Sequence, residues 1–291
     1  MRRSPSVAGK VVVITGAARG IGAELARVLT ARGARVALLG LEPVELAAVS
    51  ARLPGSAPYE VDVTDEDALT EVARRVRADV GRVDVVVANA GIGDGGPLLA
   101  MTPRSYDRII EVNLLGSVRT VRAFLPAVLA SRGYVLQVAS LAAIVPAPMM
   151  SAYCASKSGV EAFAHSLRGE VRHHGVDVGV AYLSWTDTDM VRAADAKPGL
   201  GEMRANLPWV FGKTYPLAPA VARIADGIAA RRPHIYAQPW LRAMPVVRGL
   251  MPALALLGAR DMPAIEASIL AAGPQAADPA GPGGAAGLLD G

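Results

Sequence analysis

Cysteine is almost missing from this chain: Cys154 is the only one in 291 residues. That excludes an intrachain disulfide and any metal site built on a cysteine cluster, and it fits a reducing, cytoplasmic setting. His165, His173, His174 and His234 are the four histidines and lack the spacing of a ligand set, so no metal is expected. Aromatic residues make up 4% and charged residues 19%, against roughly 25% charged in ordinary soluble domains. A surface so poor in charge is expected to be covered in part, most simply by a partner subunit. Neither sign of charge prevails, since 30 basic against 26 acidic residues leave +4, and the arginines are dispersed. With so few aromatics and no basic stripe, nucleic acid is not an expected partner. No uncharged apolar run reaches the roughly 18 residues of a membrane span. The apolar run after the polar leader 1–9 reads as a buried strand rather than a signal peptide.

Apolar residues are abundant, at 52%, and their layout is rhythmic. "KVVVIT" (10–15) is a β-branched run suited to a strand buried on both faces. "ELARVLTARG" follows as a helix, "ARVALLG" as a strand, "EPVELAAVSARL" as a helix and "PYEVDV" as a strand. The alternation continues through "EDALTEVARRVRADVG", "VDVVVANAG", a long helix 103–131, "YVLQVAS", a helix 151–173 and "VDVGVAYLS". Thr102 is placed to cap the long helix, with Pro103 at its first position. Strands alternating with helices predict an α/β fold with a doubly wound parallel sheet of about seven strands flanked by helices. Residues 8–238 are expected to form the main domain, 239–271 an apolar helical extension, and the Gly/Pro/Ala-rich 272–291 a disordered tail.

"TGAARGIG" (15–22) sits between the first strand and its helix. Gly16 permits a tight turn, while Gly20 and Gly22 let backbone and helix approach a pyrophosphate at the positive helix N-terminus, beside Ile21. Asp62, at the end of "PYEVDV", is a candidate for the adenine amino group, with the backbone at Val63 alongside. Asp65 is the better helix cap. "NAG" (Asn89, Ala90, Gly91) follows the fourth strand, where ligands sit at a switch point; alone it would read as a turn. The second strand ends in Gly40 and Leu41, without the carboxylate that grips a ribose 2′-hydroxyl, and Glu42 falls late for that task. Arg19 in the glycine loop suits a 2′-phosphate. NADP(H) is therefore favoured, with NAD(H) the alternative.

TGxxxGxG, NAG, a serine closing the next strand and "YCASK" occur in that order, and together they resemble the short-chain dehydrogenase/reductase family over roughly residues 8–237. The resemblance implies a single Rossmann-type domain, an NAD- or NADP-dependent oxidoreductase of carbonyls and alcohols, and a subunit that pairs its long helices into a homodimer or homotetramer. Tyr153 and Lys157 lie one turn apart on one helix face. A phenol titrates near about 10, and a neighbouring ammonium favours its phenolate, which predicts a tuned acid/base. Lys157, with Tyr153, would also meet the nicotinamide ribose. Ser140 is placed to orient the substrate oxygen. Asn113 matches the family's helix-breaking asparagine, which implies a water relay to Lys157. Thr186 and Thr188 match the family's contacts to the nicotinamide carboxamide and pyrophosphate. One departure stands out: Leu183 and Ser184 replace the family's Pro-Gly before them. Cys154, one position from Tyr153 and without a histidine partner, reads as a small inert thiol.

Segment 185–215 occupies the place of a substrate lid and carries Trp185, Met190, Met203, Trp209 and Phe211, with Met149 and Met150 ahead of the catalytic helix. Soft and flat side chains of this kind predict a lipophilic ketone or alcohol substrate. Contact of 240–258 with a membrane surface is the weaker reading of that apolar segment. A nucleotide-sensing protein without turnover is the rival function, and retention of both Tyr153 and Lys157 argues against it.

Overall fold

The computed structural model describes residues 6–272 apart from 198, 258, 260 and 261. Seven parallel strands form one sheet in the order β3-β2-β1-β4-β5-β6-β7. They are β1 (Val11–Thr15), β2 (Arg35–Gly40), β3 (Ala57–Glu60), β4 (Val85–Ala88), β5 (Tyr134–Val138), β6 (Asp177–Tyr182) and β7 (His234–Tyr236). Every residue of β1, β4 and β5 is buried, as a parallel sheet covered on both faces requires. β1 pairs Val12 with Val36 on one side and with Val85 on the other. The chain order therefore reverses between β1 and β4, and the crevice lies beyond their carboxyl ends.

Helices α1 (Gly20–Ala31), α2 (Pro43–Ser50) and α3 (Glu66–Val80) follow the first three strands. The long helix is α4 (Pro103–Ile110), a π-helical turn (Glu111–Leu115) and α5 (Gly116–Ser131). Thr102 caps it by accepting from Ser105 N, and Asp65 caps α3 by accepting from Ala68 N, as the sequence predicts. The catalytic-motif helix is α6 (Ser151–Val171). Three short helices, α7 (Asp189–Asp195), α8 (Leu200–Ala205) and α9 (Trp209–Gly212), make the segment expected as a lid. Next comes α10 (Leu217–Ala229), and the extension carries α11 (Met244–Val247), α12 (Met251–Leu257) and α13 (Met262–Ala272). β3 is shorter than expected: Asp62 accepts from Thr64 N at 2.8 Å, and this local bond turns the chain out of the sheet. Residues 273–291, expected as a disordered tail, lie outside the described residues.

Two apolar layers sandwich the sheet. One gathers α3, α5 and α6 around Val86, Phe124 and Val160. The other gathers α1 and α10 around Ile14, Leu25 and Ile224. A third, smaller cluster joins Met149 and Met150 to Leu200, Met203, Ile265 and Ile269, with Tyr153 and Trp185 packed against it. The lid and the extension thus close over one end of the sheet.

Candidate active site

The glycine loop is a backbone cradle. Gly16 has φ +63°, and a β-carbon there would fall 2.8 Å from Ala90 Cα. A β-carbon on Gly22 would fall 2.2 Å from Gly16 O, so no side chain fits where α1 meets the loop. Asn89 braces the cradle from β4: its Nδ2 donates to Thr15 O at 2.9 Å and to Gly16 O at 3.2 Å. The Thr15 hydroxyl accepts from Asn89 N and Ala90 N. The loop opens on a cavity of about 200 Å³. Gly16, Arg19, Gly20, Ile21, Asp62, Val63, Asn89, Ala90, Gly91 and Thr188 line it, all anticipated from sequence. Gly22 instead lies in the packing of α1 against the loop. The close-packed glycines and the start of α1 fit a dinucleotide pyrophosphate.

Three charged residues of this cavity are not among those expected from the sequence. Arg108 reaches it from α4 and donates to Asp62 Oδ2 at 2.9 Å. Burial pushes the Asp62 carboxyl up, but the bonds from Thr64 N and Arg108 outweigh it and hold the group below its usual range. Asp189 and Glu42 are the others. Glu42 does reach the cavity, and it takes both Arg19 Nε, at 3.0 Å, and an Arg19 terminal nitrogen. Arg19 also lies 3.6 Å from Asp189 and 3.8 Å from Glu45. The guanidinium expected to meet a phosphate is thus ringed by carboxylates. The signal for Glu42 was its place two residues beyond β2, too far only if the chain ran straight on.

A second cavity of about 500 Å³ lies under the lid. Ser140 and Tyr153 line it together with Trp185, Met190, Met203 and Phe211; Met150 is there, whereas Met149 is buried in the adjoining cluster. The side chain of Trp209 lies outside the described residues. Four extension residues, Met251, Leu254, Ala255 and Ile265, complete the wall. Ser140 and Tyr153 face this one cavity, and Ser140 lies near enough to the phenol to lower its pKa. Ser140 is itself held by Ala142 N at 3.2 Å and donates to Leu183 O at 3.4 Å.

Lys157 is buried, donates to Val138 O at 3.0 Å, and lies 5.8 Å from the centre of the Tyr153 ring. Burial pushes the ammonium down to about 8. Burial also raises the Tyr153 phenol to about 12, although the neighbouring Ser140 pulls it down. The sequence expectation of a lowered phenol has the opposite sign, because the lid and the third apolar cluster remove water from the hydroxyl. Cys154 is raised by burial and stays a thiol.

Asn113 occupies the π turn, where the i→i−4 ladder is already broken. Its Oδ1 accepts from Ile92 N at 2.8 Å, and its Nδ2 donates to Ile92 O at 3.0 Å and Ser156 Oγ at 3.2 Å. It fixes the backbone after Gly91 to α6. Its Oδ1 and Lys157 Nζ face the same glycine, 3.0 and 3.5 Å from where a β-carbon would stand. Beyond β6, Thr186 donates to Ser184 O, and Thr188 caps α7 and donates to Thr186 O. Leu183 is buried in the core, and Gln238 accepts from Ser184 N at 2.9 Å. Gln238, unnoticed in the sequence, braces the turn where Pro-Gly was expected. Asp94, also missed, is buried in the lid cavity wall and takes Lys197 Nζ at 2.7 Å, Ser105 Oγ at 2.9 Å and Gly95 N at 2.7 Å. It fastens the lid to the loop after β4.

The short chain dehydrogenase family model matches residues 10–199. Dehydrogenase/reductase SDR family member 7B of Bos taurus is 35% identical over 65% of this chain and 62% of its own length, so the chain spans less than two thirds of that relative. The 3-oxoacyl-(acyl-carrier-protein) reductase FabG of Escherichia coli is 32% identical over 76% of this chain and 92% of its own. A metagenomic short-chain oxidoreductase solved with NADP is 39% identical, covering 60% of this chain and 82% of its own, with a TM-score of 0.58. A Burkholderia phymatum short-chain dehydrogenase/reductase solved with NAD has a TM-score of 0.75 at 23% identity, over 86% of this chain and 96% of its own, and supports the fold alone. With its seven-stranded Rossmann-like sheet, glycine cradle and Ser140–Tyr153–Lys157 constellation, the chain belongs to the short-chain dehydrogenase/reductase family of NAD(P)-dependent oxidoreductases.

Proposed function

We propose that this enzyme interconverts a lipophilic ketone and its secondary alcohol. The observation that carries the reading is that Ser140 and Tyr153 share the wall of one apolar cavity, with Lys157 buried behind Tyr153. A bound nicotinamide cofactor supplies or accepts the hydride. The chain's residues manage the proton. Ser140 orients the carbonyl oxygen, and Tyr153, protonated at neutral pH with its phenol near about 12, donates to that oxygen in the reductive direction. Lys157, charged below its value of about 8, holds the phenol's surroundings positive and can bond ribose hydroxyls. The lid and Met150 exclude water from the transfer.

NADP(H) remains the favoured cofactor. Its support is Arg19 in the cradle and the absence of a carboxylate at Gly40 and Leu41. Glu42 is the counterweight, since a 2′-phosphate must take Arg19 from it. The subunit pairs as a homodimer or homotetramer through α4–α5 and α6, a reading supported by the low charge of the chain and checked by light scattering. A panel of ketones and secondary alcohols, followed by absorbance of the reduced nicotinamide, tests the activity. Turnover that survives Tyr153→Phe undiminished refutes the mechanism.

A further inference from the structure

The catalytic helix carries a buried carboxylate that the proton chemistry does not use. Glu161 lies one turn beyond Lys157, with its side chain 6% exposed. Its Oε1 accepts from the Tyr182 hydroxyl at 2.6 Å and its Oε2 from an Arg248 terminal nitrogen at 2.7 Å. The same nitrogen donates to Ala143 O at 2.9 Å. Ala143 closes the short helical turn that Ser140 caps. Arg248 lies three residues ahead of α12, whose Met251, Leu254 and Ala255 form the far wall of the lid cavity. One guanidinium therefore ties together the helix of Tyr153, the turn of Ser140 and the wall a substrate tail would meet. Among the described side chains of α12, Met251 is buried, whereas Leu254 and Leu256 are 51% and 73% exposed.

We propose that Arg248, through Glu161 and Ala143, fixes the distance from the catalytic hydroxyls to the extension wall and thereby selects the apolar chain length of the substrate. Arg248 is a positioning residue, touching neither substrate nor cofactor. The proposal rests on the reading of this cavity as a ketone/alcohol site. Binding energy from the tail is uniform between ground and transition states, so loosening the wall raises KM and leaves kcat alone.

The test compares methyl octyl ketone with methyl ethyl ketone in the full-length protein and in Arg248→Ala, Arg248→Lys, Glu161→Gln and the Arg248→Ala/Glu161→Gln double variant. Arg248→Ala is expected to raise KM for the octyl ketone about tenfold, a loss of about 1.4 kcal/mol, with kcat and the ethyl ketone unchanged. Arg248→Lys restores part of the loss. Glu161→Gln reproduces part of it, and the double variant is no worse than Arg248→Ala, because both changes break one contact. Equal losses on both ketones, or additive effects in the double variant, overturn the proposal.

A second readout needs no turnover: Trp185 lines the cavity, so saturable quenching of tryptophan fluorescence by methyl octyl ketone reports occupancy. Saturable quenching that weakens in Arg248→Ala, with no reduction of either ketone, refutes the proposed reaction and upholds the role of Arg248. Quenching that is not saturable in the wild type, or that is unchanged in Arg248→Ala, refutes the role of Arg248 whatever the turnover.

Discussion

Replacing Lys157 by methionine should make the protein more stable and far less active. The side chain is 5% exposed, and burial lowers its ammonium from 10.5 to about 8. That drop, at about 1.36 kcal/mol per tenfold change in proton affinity, means that keeping this charge folded at neutral pH costs about 3 kcal/mol. Methionine is nearly isosteric and removes that cost. It also forfeits the bond to Val138 O, about 1 kcal/mol. The variant should therefore gain about 2 kcal/mol at neutral pH in urea unfolding. The gain must vanish in alkali. Between pH about 8 and 10.5 the unfolded chain holds a proton that the folded chain has released, so wild-type stability rises with pH through that window. By pH about 10 the variant should have lost its advantage. A stability difference that stays constant across that range refutes the picture of Lys157 as a desolvated cation. With it would go the account of how the phenol's surroundings are held positive.

Tyr153→Phe should lower kcat by roughly 10²- to 10⁴-fold, the usual contribution of a general acid, while calorimetric binding of the cofactor is unchanged. Reduction should hold steady at neutral pH and fall as pH rises through about 8, where Lys157 loses its charge; oxidation should climb toward the alkaline limit, because its base is a phenolate formed near about 12. Paired pH–rate profiles check both limbs. Glu42→Gln should release Arg19 and shift the ratio of kcat/KM for NADP over NAD upward about tenfold, about 1.4 kcal/mol of discrimination, as coenzyme titrations would show. Asp94→Asn should weaken the clasp on Lys197 by about 1.5–3 kcal/mol, since hydrogen bonds to charged groups are worth that much. Faster hydrogen exchange across 189–205, with a raised KM, is the expected signature.

The parts of the site that were legible in the sequence are short-range. The glycine loop, "NAG" and the Tyr153–Lys157 pair each lie within a few residues, and their spacing encodes their geometry. β-branched runs announced the buried central strands for the same reason. What was illegible depends on contacts between distant segments. Lys197 finds Asp94 from 103 positions away, and Arg248 finds Glu161 from 87. Glu42 falls too late for the cavity only on a straight extension of β2, whereas the chain bends back into the cavity. The direction of the Tyr153 shift is a property of the enclosure: a sequence shows the neighbouring cation, but not how much water the lid removes.

Gln238 carries a consequence for how this protein can be cut or recombined. It sits 54 residues after Ser184, at the edge of the last strand, and accepts the hydrogen bond from the turn where proline and glycine were expected. Its amide also reaches toward Thr186 Oγ1 at 3.4 Å. The turn after β6 is thus held from a remote part of the chain. A fragment ending with the family-matched region at residue 199 would contain every motif side chain and yet lack the support for one of its loops. A fragment that keeps this brace therefore runs at least through residue 238. A chimaera that exchanges the segment after α10 would have to carry a carbonyl acceptor to that position or restore the proline and glycine.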